Sequence, residues 1–260
     1  MRRRIAGLGV AVCLCAVVVI GLGERKASAQ MAAAEKPAVY TYVMEWGVPR
    51  AMWADYEKQM ATTSETLKKS VDDGTLVAYG MFAVVTHQEG AATHGTWMSA
   101  SSIASLMKVL DVLRASPNST SPVISASKHW DYMLSSREYA AHSGTFTNGY
   151  LRVATWIDKP GAEDPGGKIM KASMVALLEK LMASGALHAY TVDEEIVHSM
   201  DPGAFFVVIV TNGAEGLDKF DAAIEEMGKS NPTALPAFRS LIEEHGHRDF
   251  VAKVGTTTHK

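Results

Sequence analysis

The chain repeats part of its own sequence, and this repeat constrains the fold more than any other feature. The stretch GTLVAYGMFAVVTH (74–87) shares Gly, Leu, Ala, Tyr and His with GALHAYTVDEEIVH (185–198), five of fourteen positions at an offset of 111 residues. Further pairs keep the same offset: Leu67 and Leu178, Leu106 and Leu217, and 137–139 and 248–250. At the front of each copy, Tyr40, Val43 and Trp46 correspond to Tyr150, Val153 and Trp156 at an offset of 110. A register kept over this length indicates two copies of one structural unit.

Each copy predicts the same series of elements. Residues 39–46 and 149–156 are rich in β-branched and aromatic residues, which is typical of strands. Helices follow, with apolar residues at helical spacing, and Gly74 and Gly185 end them. The quoted stretches are the second strands, and 93–99 and 204–210 are the third strands. A second helix comes next, which Ser101 or Ser102 can cap in the first copy. A short extra helix (around 126–136 and 234–245) precedes a last strand that starts at Arg137 or Arg248.

The resulting order, β-α-β-β-α-β, is that of a ferredoxin-like unit, and it occurs twice. A four-stranded sheet with helices on one face leaves its other face apolar, and a second copy is the simplest cover for that face. We therefore predict an α+β fold with two tandem ferredoxin-like units, 38–146 and 147–256, packed sheet to sheet as a pseudo-dimeric barrel. This arrangement resembles the dimeric α+β barrel superfamily, in which two such units close face to face around a central cavity.

The N-terminal segment has the layout of a secretory signal peptide. Three arginines at positions 2–4 precede an apolar run from Ile5 to Leu22, and Ala27-Ser28-Ala29 forms a small-residue cleavage site. We predict a signal peptide at 1–29, a linker at 30–37, and an exported protein that is periplasmic or secreted and free of the membrane after cleavage. An uncleaved membrane anchor is the alternative, because the apolar run is at the short limit for a membrane span.

Composition excludes several classes of site. Both cysteines, Cys13 and Cys15, lie in the predicted signal peptide, so the mature chain would have no disulfide and no cysteine nucleophile. Cleavage would remove five basic residues and Glu24 and so move the formal charge from -3 to -7, which argues against nucleic acid as a partner. The nine histidines show no metal-ligand spacing. We therefore predict no metal and no cofactor, and a monomer whose barrel is complete within one chain.

Strand alternation indicates which side chains face the predicted cavity. In the first strands, Tyr42, Trp46, Arg152 and Trp156 share one face and combine aromatic rings with one cation, which suits a small-molecule pocket. Arg152 is the predicted polar anchor, because an arginine within an apolar strand needs an anion or water. His87 and His198, at the ends of the second strands, are further ligand-binding candidates. The alternative for these two histidines is that they cap the strand ends in solvent.

Three functions are compatible with these features. The first is an exported protein that binds a small hydrophobic or aromatic molecule in the cavity between its halves. The second is an enzyme, because the resemblance implies cofactor-independent monooxygenase chemistry on aromatic substrates, or haem degradation. The third is a structural protein whose barrel is filled by side chains. A void with convergent polar groups would favour the first two, and a filled interior would favour the third.

Overall fold

The computed structural model of the protein describes residues 36–162, 164, 167–197 and 199–260. The predicted signal peptide and the linker up to residue 35 lie outside the described residues, as does His198. Among the helices of the described part, none is long and apolar enough to cross a membrane.

The first half of the chain alternates strands and helices in nearly the predicted order. Its elements are β1 (Val39–Gly47), α1 (Trp53–Asp72), β2 (Ala78–Val84), β3 (His94–Ala100), α2 (Ile103–Ala115), α3 (Pro122–Ala126) and β4 (Lys128–Ala141). Short 3-10 turns, Arg50–Met52 and Pro117–Thr120, precede α1 and α3.

The second half repeats this series after a short extra strand. Its elements are β5 (Gly144–Phe146), β6 (Tyr150–Ile157), α4 (Lys168–Met170), α5 (Ala176–Ala183), β7 (Leu187–Glu195), β8 (Ala204–Thr211), α6 (Glu215–Ser230), α7 (Ala234–Arg239) and β9 (Arg248–His259). A π-helical turn, Lys171–Val175, joins α4 to α5.

Eight of these strands close into an antiparallel barrel. The first half contributes the order β2-β3-β1-β4, and the second half contributes the corresponding order β7-β8-β6-β9. Pairing of β4 with β7 and of β2 with β9 joins the halves at both edges. The halves are therefore hydrogen-bonded edge to edge into one barrel, and their inner faces lie opposite each other across its interior.

The helices cover the outer face of the barrel and form a separate core in each half. Leu67 of α1 and Leu106 of α2 are fully buried against the outer side chains of the first half, among them Tyr79 and Met98. The second half buries Leu178, Leu181, Tyr190, Ile209 and Phe220 in the same way. A further buried cluster, which includes Phe82, Leu151 and Val210, lies on the inner face of the barrel.

The predicted helix boundaries are confirmed at several positions. The Ser102 hydroxyl accepts a hydrogen bond from the Ser105 backbone N–H and so caps α2. Gly74 and Gly185 follow α1 and α5 with φ of 81° and 72°, a left-handed conformation that favours glycine and ends a helix.

One predicted element is wrong. Residues 128–136 belong to the 14-residue strand β4, whereas we predicted a short helix around 126–136, and the helix that is present, α3, ends at Ala126. The strand is long because it joins the halves: residues 128–136 pair with β1, and residues 134–141 pair with β7. Long-range pairing with two partners here overrides the local pattern.

Candidate ligand cavity inside the barrel

The barrel encloses a cavity of about 870 Å³. All eight barrel strands contribute to its lining, which is mostly apolar: Val43, Phe82, Val84, Trp97, Leu134, Leu151, Val153, Ala189, Phe206, Val208, Val210 and Phe250. Polar side chains also line it, among them Glu45, Asp193, Arg248 and His259. A volume of this size, with a mainly apolar wall and some polar groups, is typical of small-molecule sites.

Two glycines make room for the aromatic rings of the first half. Gly80 pairs with Trp97, and Gly95 pairs with Phe82, between β2 and β3. A Cβ atom on either glycine would overlap the ring of its partner, so both rings lie directly over the glycine backbone. The corresponding pairs of the second half are Thr191 with Val208 and Asp193 with Phe206.

Glu45 on β1 is one of the polar groups of the cavity wall. The Tyr132 hydroxyl on β4 donates a hydrogen bond of 3.5 Å to Glu45 Oε2. Burial raises the pKa of Glu45 to about 7, against the smaller opposing effect of this hydrogen bond. Burial and the nearby Glu45 carboxylate also raise the pKa of Tyr132. Glu45 can therefore accept or release a proton near neutral pH.

Asp193 on β7 is the second carboxyl group of the wall, and it is 3% exposed. Its carboxylate accepts hydrogen bonds from the hydroxyls of Ser136 and Thr191. Burial raises the pKa of Asp193 to about 6, although both hydrogen bonds act in the opposite direction. The hydroxyls satisfy this carboxylate from within the protein.

Histidines lie at the opposite end of the cavity. The His259 ring is 5.5 Å from the His188 ring between centroids, and Phe146 of β5 stacks on His188 at 4.4 Å. Burial lowers the pKa of His259 to about 4 and also lowers that of His188, so both rings are neutral at pH 7. Within the described residues, no group of three or more His, Cys, Asp or Glu side chains is arranged to hold a metal ion.

The predicted placement of Tyr42, Trp46, Arg152 and Trp156 in the central cavity is wrong. All four lie on the outer face of the sheet, beneath the helices: Tyr42 packs in the helix-covered core of the first half, and Trp156 packs against Phe238 of α7. The inner face of β1 instead carries Thr41, Val43 and Glu45. The prediction chose the face with more aromatic residues, and that face is the one that the helices cover.

Arg152, the predicted ligand anchor, is already paired within the protein. Its guanidinium group lies 2.7 Å from the Asp221 carboxylate of α6 and 2.8 Å from the Asp249 carboxylate of β9. It also lies 5.5 Å from the centroid of the Phe220 ring. These contacts hold α6 against the sheet. Because the guanidinium group is paired on the outer face, Arg152 does not anchor a ligand in the central cavity.

Tyr42 and Trp46 line a smaller cavity of about 440 Å³ between the outer face of β1 and the helices α1 and α2. Trp46 stacks on His129, with ring centroids 3.9 Å apart. Burial and the adjacent Asp131 carboxyl raise the pKa of Tyr42 to about 12.

Of the two predicted histidines, only His87 is among the described residues. His87 lies beyond the end of β2, where it is exposed and stacks on Trp53 with centroids 5.3 Å apart. This position corresponds to the alternative that His87 lies at a strand end in solvent. His198 is outside the described residues.

The sequence prediction missed Glu45, Tyr132 and Asp193. Glu45 had a recognisable signal, because it is the one carboxylate within an otherwise apolar and aromatic strand, VYTYVMEWG. Tyr132 lies in the segment predicted as a helix, so the sequence did not indicate which face of β4 carries its side chain. Asp193 lies in the second copy of the repeated stretch, GALHAYTVDEEIVH, between other acidic and apolar residues that do not indicate which face lines the cavity.

No protein-family model matches the chain, and no curated protein matches it. Solved structures are similar to it. A candidate monooxygenase from Fusobacterium nucleatum has a TM-score of 0.62 at 8% identity, covering 86% of this chain and 95% of that one. A candidate monooxygenase from Lactobacillus acidophilus has a TM-score of 0.57 at 9% identity, with 85% and 96% covered. An anthrone oxidase-like protein has a TM-score of 0.51 at 12% identity, with 86% and 94% covered.

These identities show a common fold and nothing finer. The neighbours are dimeric α+β barrel proteins, and this chain has the closed eight-stranded barrel of that superfamily. The predicted resemblance to the dimeric α+β barrel superfamily is therefore confirmed at the level of the fold.

Proposed function

We propose that the protein binds a small hydrophobic or aromatic molecule inside its barrel. The observation that carries this proposal is the apolar cavity of about 870 Å³, to which all eight strands contribute. The volume lies within the range of roughly 300–1,000 Å³ found for ligand pockets. A structural protein with a filled barrel is disfavoured by the same observation.

A fluorescent reporter tests this proposal directly. N-phenyl-1-naphthylamine is uncharged at neutral pH and becomes bright in an apolar site, so the wild-type protein should enhance its emission at saturable concentrations. Val153→Trp would place an indole in the cavity, since Val153 lines it, and should abolish the enhancement. Glu226→Trp on the exposed surface of α6 is the matched control and should retain it. Undiminished binding to the Val153→Trp variant would contradict the proposal.

An enzyme is the second candidate, because one observation favours it. Glu45 has a pKa raised to about 7 in an apolar cavity, which suits a general base or acid. The names of the similar structures suggest oxidation of an aromatic substrate. Oxygen uptake with anthrone should then exceed the uncatalysed rate and fall at least tenfold in Glu45→Gln. Equal rates for wild type, variant and buffer would contradict the enzymatic function, and ligand binding would then be the only function proposed. No observation among the described residues favours haem degradation.

The two halves are a duplicated ferredoxin-like unit, spanning 38–146 and 147–256. The corresponding strand orders β2-β3-β1-β4 and β7-β8-β6-β9 support this division. Because the pairings between the halves lie within one chain, the protein is a monomer with an internal pseudo-dimer. Light scattering should give the mass of one chain, and an obligate dimer would contradict this part of the proposal.

The protein is exported, and cleavage follows residue 29. The support is the arginine cluster, the apolar run and the Ala27-Ser28-Ala29 site at the N-terminus. N-terminal sequencing of the protein from its host should begin at Gln30. A retained segment 1–29 would indicate a membrane anchor instead.

A further inference from the structure

Glu45 has unused acceptor capacity, in contrast to the other carboxylates of the barrel interior. Its only hydrogen bond within the described part of the chain is the long one from Tyr132, at 3.5 Å, and it makes no ion pair there. A carboxylate accepts up to about four hydrogen bonds. An ionised carboxylate with so few partners in an apolar site is costly.

The other two carboxylates that line the cavity are satisfied by the protein itself. Asp193 accepts from the hydroxyls of Ser136 and Thr191. Asp249, at the start of β9, accepts from the Arg152 guanidinium group. Glu45 alone among these three carboxylates has only one, long hydrogen bond within the described part of the chain.

No cation forms an ion pair with Glu45 among the described residues. Three basic side chains line the cavity: Lys36 and Lys260 at the end that holds His259, and Arg248, which is exposed at the start of β9. Lys36 is engaged with the Tyr139 carbonyl and the Glu179 carboxylate. No charged neighbour contributes to the raised pKa of Glu45, which arises from burial. When Glu45 ionises, its carboxylate therefore has no paired counterion within the described part of the chain.

An aromatic surface adjoins this carboxylate. Gly95 pairs with Glu45 on one side and with Phe82 on the other. The Phe82 ring lies over Gly95, so it stands next to the inner-face position of Glu45. The Phe82 ring also stacks on Phe250, with centroids 5.9 Å apart, so Glu45 adjoins an aromatic wall. A carboxylate beside such a wall suits a ligand that combines an ammonium group with an apolar body.

Building on the proposed ligand-binding function, we propose that the ligand is a hydrophobic amine. Its ammonium group binds the Glu45 carboxylate beside Phe82, and its apolar body packs against Trp97 and Phe206 on the cavity wall. The ligand thus supplies a counterion to Glu45.

Binding of such an amine is linked to the protonation of Glu45. An ammonium group favours the ionised carboxylate, so below pH 7 binding releases the Glu45 proton to solvent. Affinity should increase from pH 5.5 to 7, by up to about tenfold per pH unit, and then level off. The other titratable groups that line the cavity near Glu45 are Tyr132, Asp193, His247, Arg248 and Asp249. Burial raises the pKa of Asp193 to about 6, so an experiment must distinguish its titration from that of Glu45.

Competition against bound N-phenyl-1-naphthylamine tests the inference with three matched probes: 4-phenylbutylamine, 4-phenylbutan-1-ol and 4-phenylbutyrate. At pH 8 the amine should compete roughly 30-fold better than the alcohol, and the carboxylate should compete worst. Glu45→Gln should reduce the preference for the amine to near unity and abolish the pH dependence. Glu194→Gln, on the exposed side of β7, is the matched control and should change neither.

The outcomes separate this inference from the proposed function. If the reporter does not bind the wild-type cavity, the proposed function fails. If the reporter binds but the alcohol competes as well as the amine, the ligand class proposed here is wrong and the binding function stands. Should Glu45→Gln not fold, calorimetry of Asp193→Asn in two buffers decides: proton release on amine binding at pH 6 supports the inference, and its absence overturns it. Persistence of the pH dependence in Glu45→Gln would assign the linkage to Asp193 and also overturn it.

Discussion

The two halves of the barrel can be compared position by position, beginning with their outer faces. Trp46 on β1 stacks on His129 at 3.9 Å between centroids, and Trp156 on β6 stacks on His247 at 3.7 Å. Both pairs are nearly parallel, with interplanar angles of 11° and 9°. The same aromatic stack therefore recurs where each first strand lies beside its last strand.

The inner faces differ at the corresponding positions. Glu45 corresponds to Thr155. Tyr132 pairs with Val43 as Phe250 pairs with Val153, so the strand register makes Tyr132 the counterpart of Phe250, whereas the sequence offset aligned 137–139 with 248–250. Phe82 over Gly95 in the first half corresponds to Asp193 opposite Phe206 in the second. Each half thus contributes one carboxyl group at a position where the other half is neutral. The duplication repeats the framework of the barrel, while the polar chemistry of the cavity is asymmetric.

The largest expected effect comes from removing the shared aromatic stack. Trp156→Ala should reduce the free energy of unfolding by about 3 kcal/mol, because it deletes contacts with Phe238 and His247. Trp46→Ala should cost a similar amount, as the counterpart in the first half. Urea denaturation of both variants measures this. A cost below about 1 kcal/mol for one of them would show that the two stacks are not equivalent.

The sequence predicted the repeated framework because strands and helices are encoded locally. Apolar periodicity and the glycines after the first helix of each copy located most elements within a few residues. The segment 128–136 was predicted wrongly because its extended conformation depends on pairing with β1 and β7, which are distant in sequence. Alternation within a segment could not reveal those partners.

The cavity face was harder to predict, and the reason lies in the architecture. Both faces of a barrel strand are covered here, one by helices and the other by the opposite wall, so alternation does not distinguish inside from outside. Tyr42, Trp46 and Trp156 formed the richer aromatic face and were therefore assigned to the cavity. On β1 the inner face carries the smaller side chains Thr41 and Val43, and the rings of Tyr42 and Trp46 lie on the outer face beneath the helices.

The next effect tests the asymmetry of the inner faces. Because the folded-state pKa of Glu45 is raised from 4.5 to about 7, burial disfavours its ionised form and stability falls as pH rises from 4.5 to 7. Glu45→Thr, which copies Thr155 of the second half, should therefore stabilise the protein by about 2 kcal/mol at pH 8. The gain should vanish near pH 4. Thermal unfolding at both pH values measures it, and a gain that is the same at pH 4 and pH 8 would contradict ionisation as the cause.

A smaller effect is expected from the glycine beneath Phe82. Gly95→Ala places a methyl group where the ring lies, so the ring must move toward the cavity at a cost of about 1–2 kcal/mol. Phe82→Val should remove most of this cost in the double variant, because the overlapping ring is gone. Denaturation of the two single variants and the double variant gives the coupling energy. Additive costs would show that the ring is not the cause.

The smallest effect concerns the ion pairs that distinguish Arg152 from its counterpart Tyr42. The Asp221 and Asp249 side chains are 68% and 37% exposed, and solvent screens such pairs. Arg152→Gln should therefore cost only about 1 kcal/mol at low ionic strength and less in 1 M salt. Asp221→Asn is the control: it removes one partner and should cost less than Arg152→Gln. Denaturation at two salt concentrations measures both variants. A loss of several kcal/mol, unchanged by salt, would mean that the guanidinium group behaves as a buried charge. Arg152 would then be the residue that fills the outer face of the second half, at the position where Tyr42 borders a cavity in the first half.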